Sequence, residues 1–309
     1  MVVAPTQFLN MISNSRFIKP GFCIAALAVL ASTGFISTAF GQQKKETLPA
    51  GPLLTRTATR NETRRLGYAS TVTIVGAPQG SITVEGWPRS EVQITADIEL
   101  RAETEEDLNL LATVNGWVLD EDSNHLSILS TGTHDKVFMK RAAKKFPKKL
   151  LGLPWRIDYR IRVPMATDLD INAGRGPITL SGVEGAITLT ATESETQLTL
   201  TSGMVSATVG KGRITVRIPT RSWRGSGADL RIAMGDLNVE LPVGFNGDID
   251  ADILRSGQIR HLFSVLETRE KPGITERIVR ARAGAGGAFF KLTVGDGTIW
   301  IKKMVMNDP

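Results

Sequence analysis

The densest chemistry in this sequence is a run of cations. Lys136, Lys140, Arg141, Lys144, Lys145, Lys148 and Lys149 place seven basic groups in fourteen positions, with no acid after Asp135. Phe138, Met139, Ala142 and Phe146 share a helical face until Pro147 stops the turn, and Leu150, Leu151, Leu153 and Trp155 follow. A short cationic amphipathic segment of this kind suits an anionic membrane surface or an acidic envelope polysaccharide. The plainer alternative is an exposed loop between two sheet regions, its lysines solvated. Nucleic acid is a poor fit, because no aromatic platform is interleaved with the charge.

A second constellation is acidic. Asp248, Asp250 and Asp252 alternate with Ile249, Ala251 and Ile253, so the three carboxylates leave one face of a strand. Three hard oxygen donors in a row could help hold Ca²⁺. With a basic residue in a groove, the row could instead serve an enzyme acting on polysaccharide. The same alternation is also what a solvated strand face looks like when its isoleucines point inward. Thr188/Thr190 and Thr199/Thr201 form a lesser outward array, which the strand preference of Thr explains without a function.

Other chemistry is missing. His125, His134 and His261 show no metal-ligand spacing. Gly210-Lys211-Gly212 lacks the flanking residues of a phosphate loop, and neither Gly-x-Gly-x-x-Gly nor Gly-x-Ser-x-Gly occurs. The one cysteine, Cys23, falls in the leader described below, so thiol chemistry and disulfides are excluded after it. No catalytic residue and no cofactor is expected.

The elements that would carry these groups are short strands. Val72 and Ile74, Ile82 and Val84, then Val92 to Leu100 alternate with period two. One helix interrupts, with Thr104 as its N-cap, Glu105, Glu106 and Asp107 in its first turn, and Leu108, Leu111, Ala112 and Asn115 at i, i+3, i+4 and i+7. Gly116 is expected as its C-terminal left-handed residue. Beyond Arg156 no helical period exists. Instead Gly-x-Ile recurs at Gly80, Gly176, Gly185, Gly212, Gly247, Gly257 and Gly297, with steps of nine, three nines and ten. Strands this short and evenly spaced leave no room for intervening helices. An all-β fold is therefore predicted, a solenoid-like stack of Gly-turned rungs with a β-sandwich as the alternative.

Residues 1–41 read as an export signal. Arg16 and Lys19 are their only charges, Phe22 to Phe40 is uncharged, and Ala39-Phe40-Gly41 offers a cleavage site before Gln42. Retention as an uncleaved anchor is the alternative. Without this segment 268 residues remain, with a net charge of +4. Residues 42–65 read as a flexible linker, 66–303 as a single β-repeat domain with a basic insert at 136–150, and 304–309 as a tail.

The segments GSITVEGW near residue 80, INAGRGPITLSGVEGAITL near 171 and KLTVGDGTIWIKK at the end resemble the "putative adhesin" family of exported bacterial proteins. The resemblance covers about 70–303. It implies a β-helical domain, a cell-envelope or surface location and a non-enzymatic, adhesive role, and it supplies no site residues, while the export signal by itself allows the periplasm, the envelope or the extracellular space. The basic stretch 136–149 departs from the family pattern. The reading that results is an exported protein holding an envelope polymer or membrane, with a polysaccharide-acting enzyme or an envelope scaffold binding protein partners as alternatives.

Overall fold

The computed structural model describes residues 52–304 except 68, 264 and 265, so the expected leader and its cleavage site at Gly41 and Gln42 lie outside the described residues. In chain order the elements are β1 (Leu54–Arg65), β2 (Thr71–Val75), β3 (Ile82–Trp87), β4 (Glu91–Ala102), α1 (Glu105–Ala112), β5 (Gly116–Glu121), β6 (His125–Thr131) and α2 (Lys136–Ala142). Then come β7 (Trp155–Pro164), β8 (Asp168–Arg175), β9 (Ile178–Ser181), β10 (Ala186–Thr199), β11 (Ser202–Arg217) and β12 (Arg224–Leu241). β13 (Gly247–His261), β14 (Leu266–Thr268), β15 (Ile278–Ala283) and β16 (Phe289–Lys303) complete one all-β, 16-stranded sheet that does not close on itself.

Alternation explains why these strands form, and a break in it explains why they bend. In β10, Ile187, Leu189 and Ala191 are buried, Thr192 and Glu193 are both exposed, and Ser194, Thr196 and Leu198 are buried again. Two outward residues in succession shift the phase and turn the strand into two legs. The first leg pairs with β8 (Leu189↔Ile171) and the second with β9 (Leu198↔Leu180), so β8 and β9 are the two legs of a single rung. Neighbouring rungs stack in parallel: β6 with β7, β2 with β3, β8 with β9, then β10, β11, β12, β16 and β13.

The stack buries one continuous core. Along the first legs Ile128, Ile74, Ile171, Leu189, Ala207, Leu230, Leu292 and Ala251 stand opposite one another, all at or below 1% exposure. Ile161, Val84, Leu180, Leu198, Val216, Val239 and Ile301 stand opposite one another along the second legs, all at or below 2% exposure. Each rung buries its apolar face only with the help of its neighbours. The register also resolves the nine-residue step. Leu169, Ile187 and Val205 are stacked partners eighteen residues apart, so nine is half a rung. Gly176 and Gly212 sit at the corner between legs, whereas Gly185 starts a new rung.

The corner demands glycine for a specific reason. Gly212 has φ +130°, and a Cβ placed there would lie 2.1 Å from the carbonyl oxygen of Ser194 on the next rung. Gly235 repeats this against Gly212, at 1.9 Å with φ +133°. Positive φ and a neighbouring backbone within van der Waals contact together leave no room for a side chain.

Antiparallel strands finish both ends. β4 lies on β7 and β1 on β4, while β5 covers β6. At the other end β15 pairs with β13 and β14 with β15. Residues 54–65, expected as part of a linker, are therefore a strand. The expectation missed β1 because it is an edge strand exposed on both faces, so it carries no hydrophobic alternation. Backbone pairing with β4 and polar cross-strand contacts such as Thr59 to Asp97 (2.6 Å) hold it instead. In α1 the Thr104 hydroxyl accepts from the Asp107 amide at 3.1 Å, and Leu108 and Leu111 are buried. The helix stops at Thr113, and Gly116 opens β5 rather than capping α1.

Candidate functional site

Most rungs turn their corner in a few residues. The β6/β7 rung replaces it with residues 132–154, and this excursion carries the basic run. Asp135 starts α2, its Oδ1 accepting from the amides of Val137 (2.8 Å) and Phe138 (3.0 Å). Those amide bonds, Phe138 first, hold the Asp135 carboxyl below its usual range, so it is ionised at neutral pH. The imidazole of His134 stacks on Trp155 at 5.3 Å, and burial lowers its pKa, so it adds no charge at neutral pH.

The apolar side of the insert points inward. Met139 (8% exposed) and Leu150 (1%) are buried, and Phe146 and Leu153 pack against the core. The face expected to be available for a membrane is thus used by the fold itself. Two polar contacts complete the seating. The Thr133 amide donates to Asn115 Oδ1 at 2.9 Å, and Lys149 Nζ donates to the Asp107 carboxylate of α1 at 3.0 Å.

What remains outward is charge. Lys136, Lys140, Arg141, Lys144, Lys145, Lys148 and Lys149 are all exposed, and among the described residues only Lys149 has a carboxylate partner. Val137 (60%) and Leu151 (42%) are exposed beside them. Cationic side chains elsewhere in the stack are commonly engaged, as Arg160 is by Asp97 (2.6 Å) and Arg217 by Glu240 (2.8 Å). Six cations close in sequence lack that compensation.

The acidic row has a different fate. Asp248, Asp250 and Asp252 do share one face of β13, as alternation requires, but arginines cover them. Arg282 reaches Asp248 at 2.9 Å, Arg269 reaches Asp250 at 2.6 Å, and Arg280 reaches Asp252 at 2.8 Å and Asp250 at 3.6 Å. Burial pushes the Asp250 carboxyl up against the opposing pull of Arg269 and Arg280. The hydrogen bond to Asp252 raises Arg280 further into its charged range. Three anions met by three guanidiniums form a cross-strand ladder that fastens β15 and the segment after β14 to the last rung. With these contacts the three carboxylates are engaged by arginine. Among the described residues no group of His, Cys, Asp and Glu is arranged to hold a metal ion. His125 bonds Thr73 Oγ1 at 2.8 Å, and His261 stands exposed.

Sequence reasoning missed a cleft, an open groove of about 1120 Å³ along the corner row. Its floor includes Gly80, Gly176, Gly212 and Gly235, and charged residues flank them. Those charges are mutually engaged: Arg160 with Asp97 (2.6 Å), Arg156 with Asp158 (3.5 Å), and Arg175 and Lys211 with Glu193 (3.6 and 3.8 Å). The signal was present in the sequence, since the residue before each corner is Arg175, Glu193 and Lys211 in successive rungs. It became legible only once the half-rung was known.

No protein-family model and no curated protein matches the chain. Similarity to solved structures exists at low identity. One is a "putative cell adhesion protein" from Clostridium sporogenes, 12% identical, covering 80% of this chain and 100% of that one with a TM-score of 0.44. A "putative adhesin" from Bacteroides fragilis is 10% identical over 81% of this chain and 97% of that one, with a TM-score of 0.23. A "putative lipid binding protein" from Parabacteroides distasonis is 11% identical over 80% and 97%, with a TM-score of 0.20. Likeness at this level is too slight to carry function across.

Proposed function

We propose that this chain is an exported, non-enzymatic, adhesin-like protein that attaches to an anionic envelope surface through the basic insert 136–149. One observation carries the reading: six exposed cations, Lys136, Lys140, Arg141, Lys144, Lys145 and Lys148, stand together without carboxylate partners on a rigidly seated excursion. Solubility alone does not call for such a concentration. Each Lys or Arg brought near an anionic bilayer contributes roughly 1 kcal/mol, so six acting together give measurable attachment. The export reading rests on residues 1–41 of the sequence. The non-enzymatic reading is supported by the acidic row, whose carboxylates are engaged by arginine.

The test uses residues 42–309, which hold the whole described core. Co-sedimentation with anionic and neutral vesicles and with insoluble acidic and neutral polysaccharides, in low and high salt, should show salt-sensitive binding to anionic surfaces alone. Changing the six cations to Gln should abolish it. Binding that survives this change, or no binding to any anionic surface, would overturn the proposal.

A further inference from the structure

We infer that the anionic surface recognised by the basic insert is a phospholipid bilayer, with Val137 and Leu151 entering the headgroup layer between the cations. The inference rests on the proposed role of the insert and adds a partner class and two contact residues. α2 places Val137, Lys140 and Arg141 on one face, at i, i+3 and i+4, with Lys144 continuing that spacing just beyond its end. Met139 lies on the opposite, buried side. Leu151 follows Lys148 and Lys149 directly. The two apolar side chains, 60% and 42% exposed, are thus interleaved with the cations instead of forming a patch of their own. Leu110 of α1 is 40% exposed, on the helix that Lys149 ties to the insert through Asp107.

Single exposed apolar residues are ordinary on protein surfaces. What distinguishes these is their company. A soluble polyanion would engage the cations and leave Val137 and Leu151 in water. A bilayer interface offers phosphate to the lysines and an apolar layer to the side chains between them. Three of the acids nearest the insert are engaged, Asp107 by Lys149, Glu105 by Arg56 and Asp135 by its two amides, while Glu103 and Glu106 are exposed without a basic partner among the described residues. Because Met139 and Leu150 are anchored in the core, the insert keeps its shape, and the contact is shallow. Among the described residues no helix is long and apolar enough to cross a membrane, consistent with a peripheral contact.

The experiment measures binding of residues 42–309 to phosphatidylcholine vesicles with and without phosphatidylglycerol, in low and high salt, with soluble polygalacturonate as competitor. A double variant, Val137→Ser with Leu151→Ser, runs beside the six-Gln variant. Both alter exposed residues, and thermal melts matching the unmodified protein would show the fold intact. The expected result is binding to the anionic vesicles only, lost in the six-Gln protein and about fivefold weaker in the double variant. That weakening should persist in high salt, where screening shortens the reach of charge to a few ångströms.

A fluorophore at Val137→Cys gives a second reading, since residues 42–309 contain no other cysteine. Its emission should shift to the blue with anionic vesicles and stay unchanged with polygalacturonate. If the six-Gln protein loses binding while the double variant binds normally and the probe stays in water, the bilayer contact is overturned and the charge reading stands. Polygalacturonate that displaces the protein from vesicles and binds it more tightly would likewise overturn the bilayer contact and leave the charge reading in place. If the six-Gln protein binds vesicles unchanged, the proposed role of the insert fails with the inference.

Discussion

The corner of β11 and the excursion between β6 and β7 occupy equivalent places, each joining the first leg of a rung to the second. At the β11 corner a Cβ on Gly212 would strike the backbone of β10 at 2.1 Å, and Gly235 of β12 strikes Gly212 in turn. Parallel rungs on both sides enforce the tight corner. In the β6/β7 rung the same column is occupied by Ile157, whose carbonyl faces Gly80. On its other side Ile157 meets antiparallel β4, opposite Ile98. With no parallel rung beyond it, the chain is free to leave the stack for 23 residues. The end of a stack is where departures from the rung pattern do not propagate, and the unpaired cations sit there.

The largest expected effect sharpens this comparison. Gly212→Ala forces a side chain into a left-handed position against a neighbouring carbonyl and should cost about 3 kcal/mol or more in urea unfolding. Gly152→Ala, in the excursion, meets nothing within 4 Å and should change stability by less than about 0.5 kcal/mol. Equal effects would mean that the corner row is not what fixes the rung spacing.

A middle-sized effect concerns the other end. Arg280→Gln removes a guanidinium bonded to Asp252 and close to Asp250, all three side chains at most 22% exposed. Asp252 stays partly desolvated without its counter-charge, while Asp250 keeps Arg269, so a loss of about 2 kcal/mol is expected. Calorimetric melting would check it. A change near zero would mean that solvent reaches the row, and the outward acidic face would again be open to ligands.

Within the insert one lysine differs from the rest. Lys149→Gln strands the nearly buried Asp107 and should lower stability by about 1 kcal/mol in denaturant melts, discounted because Lys149 itself is 68% exposed. Lys140→Gln should leave stability within about 0.3 kcal/mol. If the two behave alike, Lys149 belongs with the surface cations and not with the seating of the insert.

How far these regions can be read from sequence follows from what each one buries. The inward alternation of Ile187, Leu189 and Leu198 is a local signal, and it correctly announced the strands, the inward faces and, among the described residues, the absence of helices beyond Arg156. Gly-x-Ile announced turns but merged two kinds, because corners such as Gly212 and rung starts such as Gly185 carry the same tripeptide. Stack order was not legible. β16 lies between β12 and β13 although it follows both in the chain, and β6/β7 stacks outside β2/β3. These are long-range choices made by matching faces. β1 escaped because backbone pairing, which has no side-chain signature, creates it. In the insert the apolar positions were read correctly but aimed wrongly, since periodicity identifies a face without saying what covers it.

The smallest effect isolates α2 through its cap. The Asp135 carboxyl is held below its usual value by the amides of Phe138 and Val137, so its contribution is present above the ordinary carboxylate pKa, near 3.8. It is lost as pH falls through the depressed folded value. Residue-resolved amide exchange, corrected for intrinsic rates, should therefore show the Val137 and Phe138 amides protected at about pH 5 and losing that protection as acidification proceeds below the ordinary carboxylate range. Amides of the inner rungs should hold through the same interval, since backbone pairing within the stack needs no carboxylate. Asp135→Asn keeps an uncharged capping oxygen and should make the protection of α2 independent of pH. If both proteins lose protection together, acid acts on the insert elsewhere than at this cap. The display of Lys140 and Arg141 would then not depend on the Asp135 carboxylate.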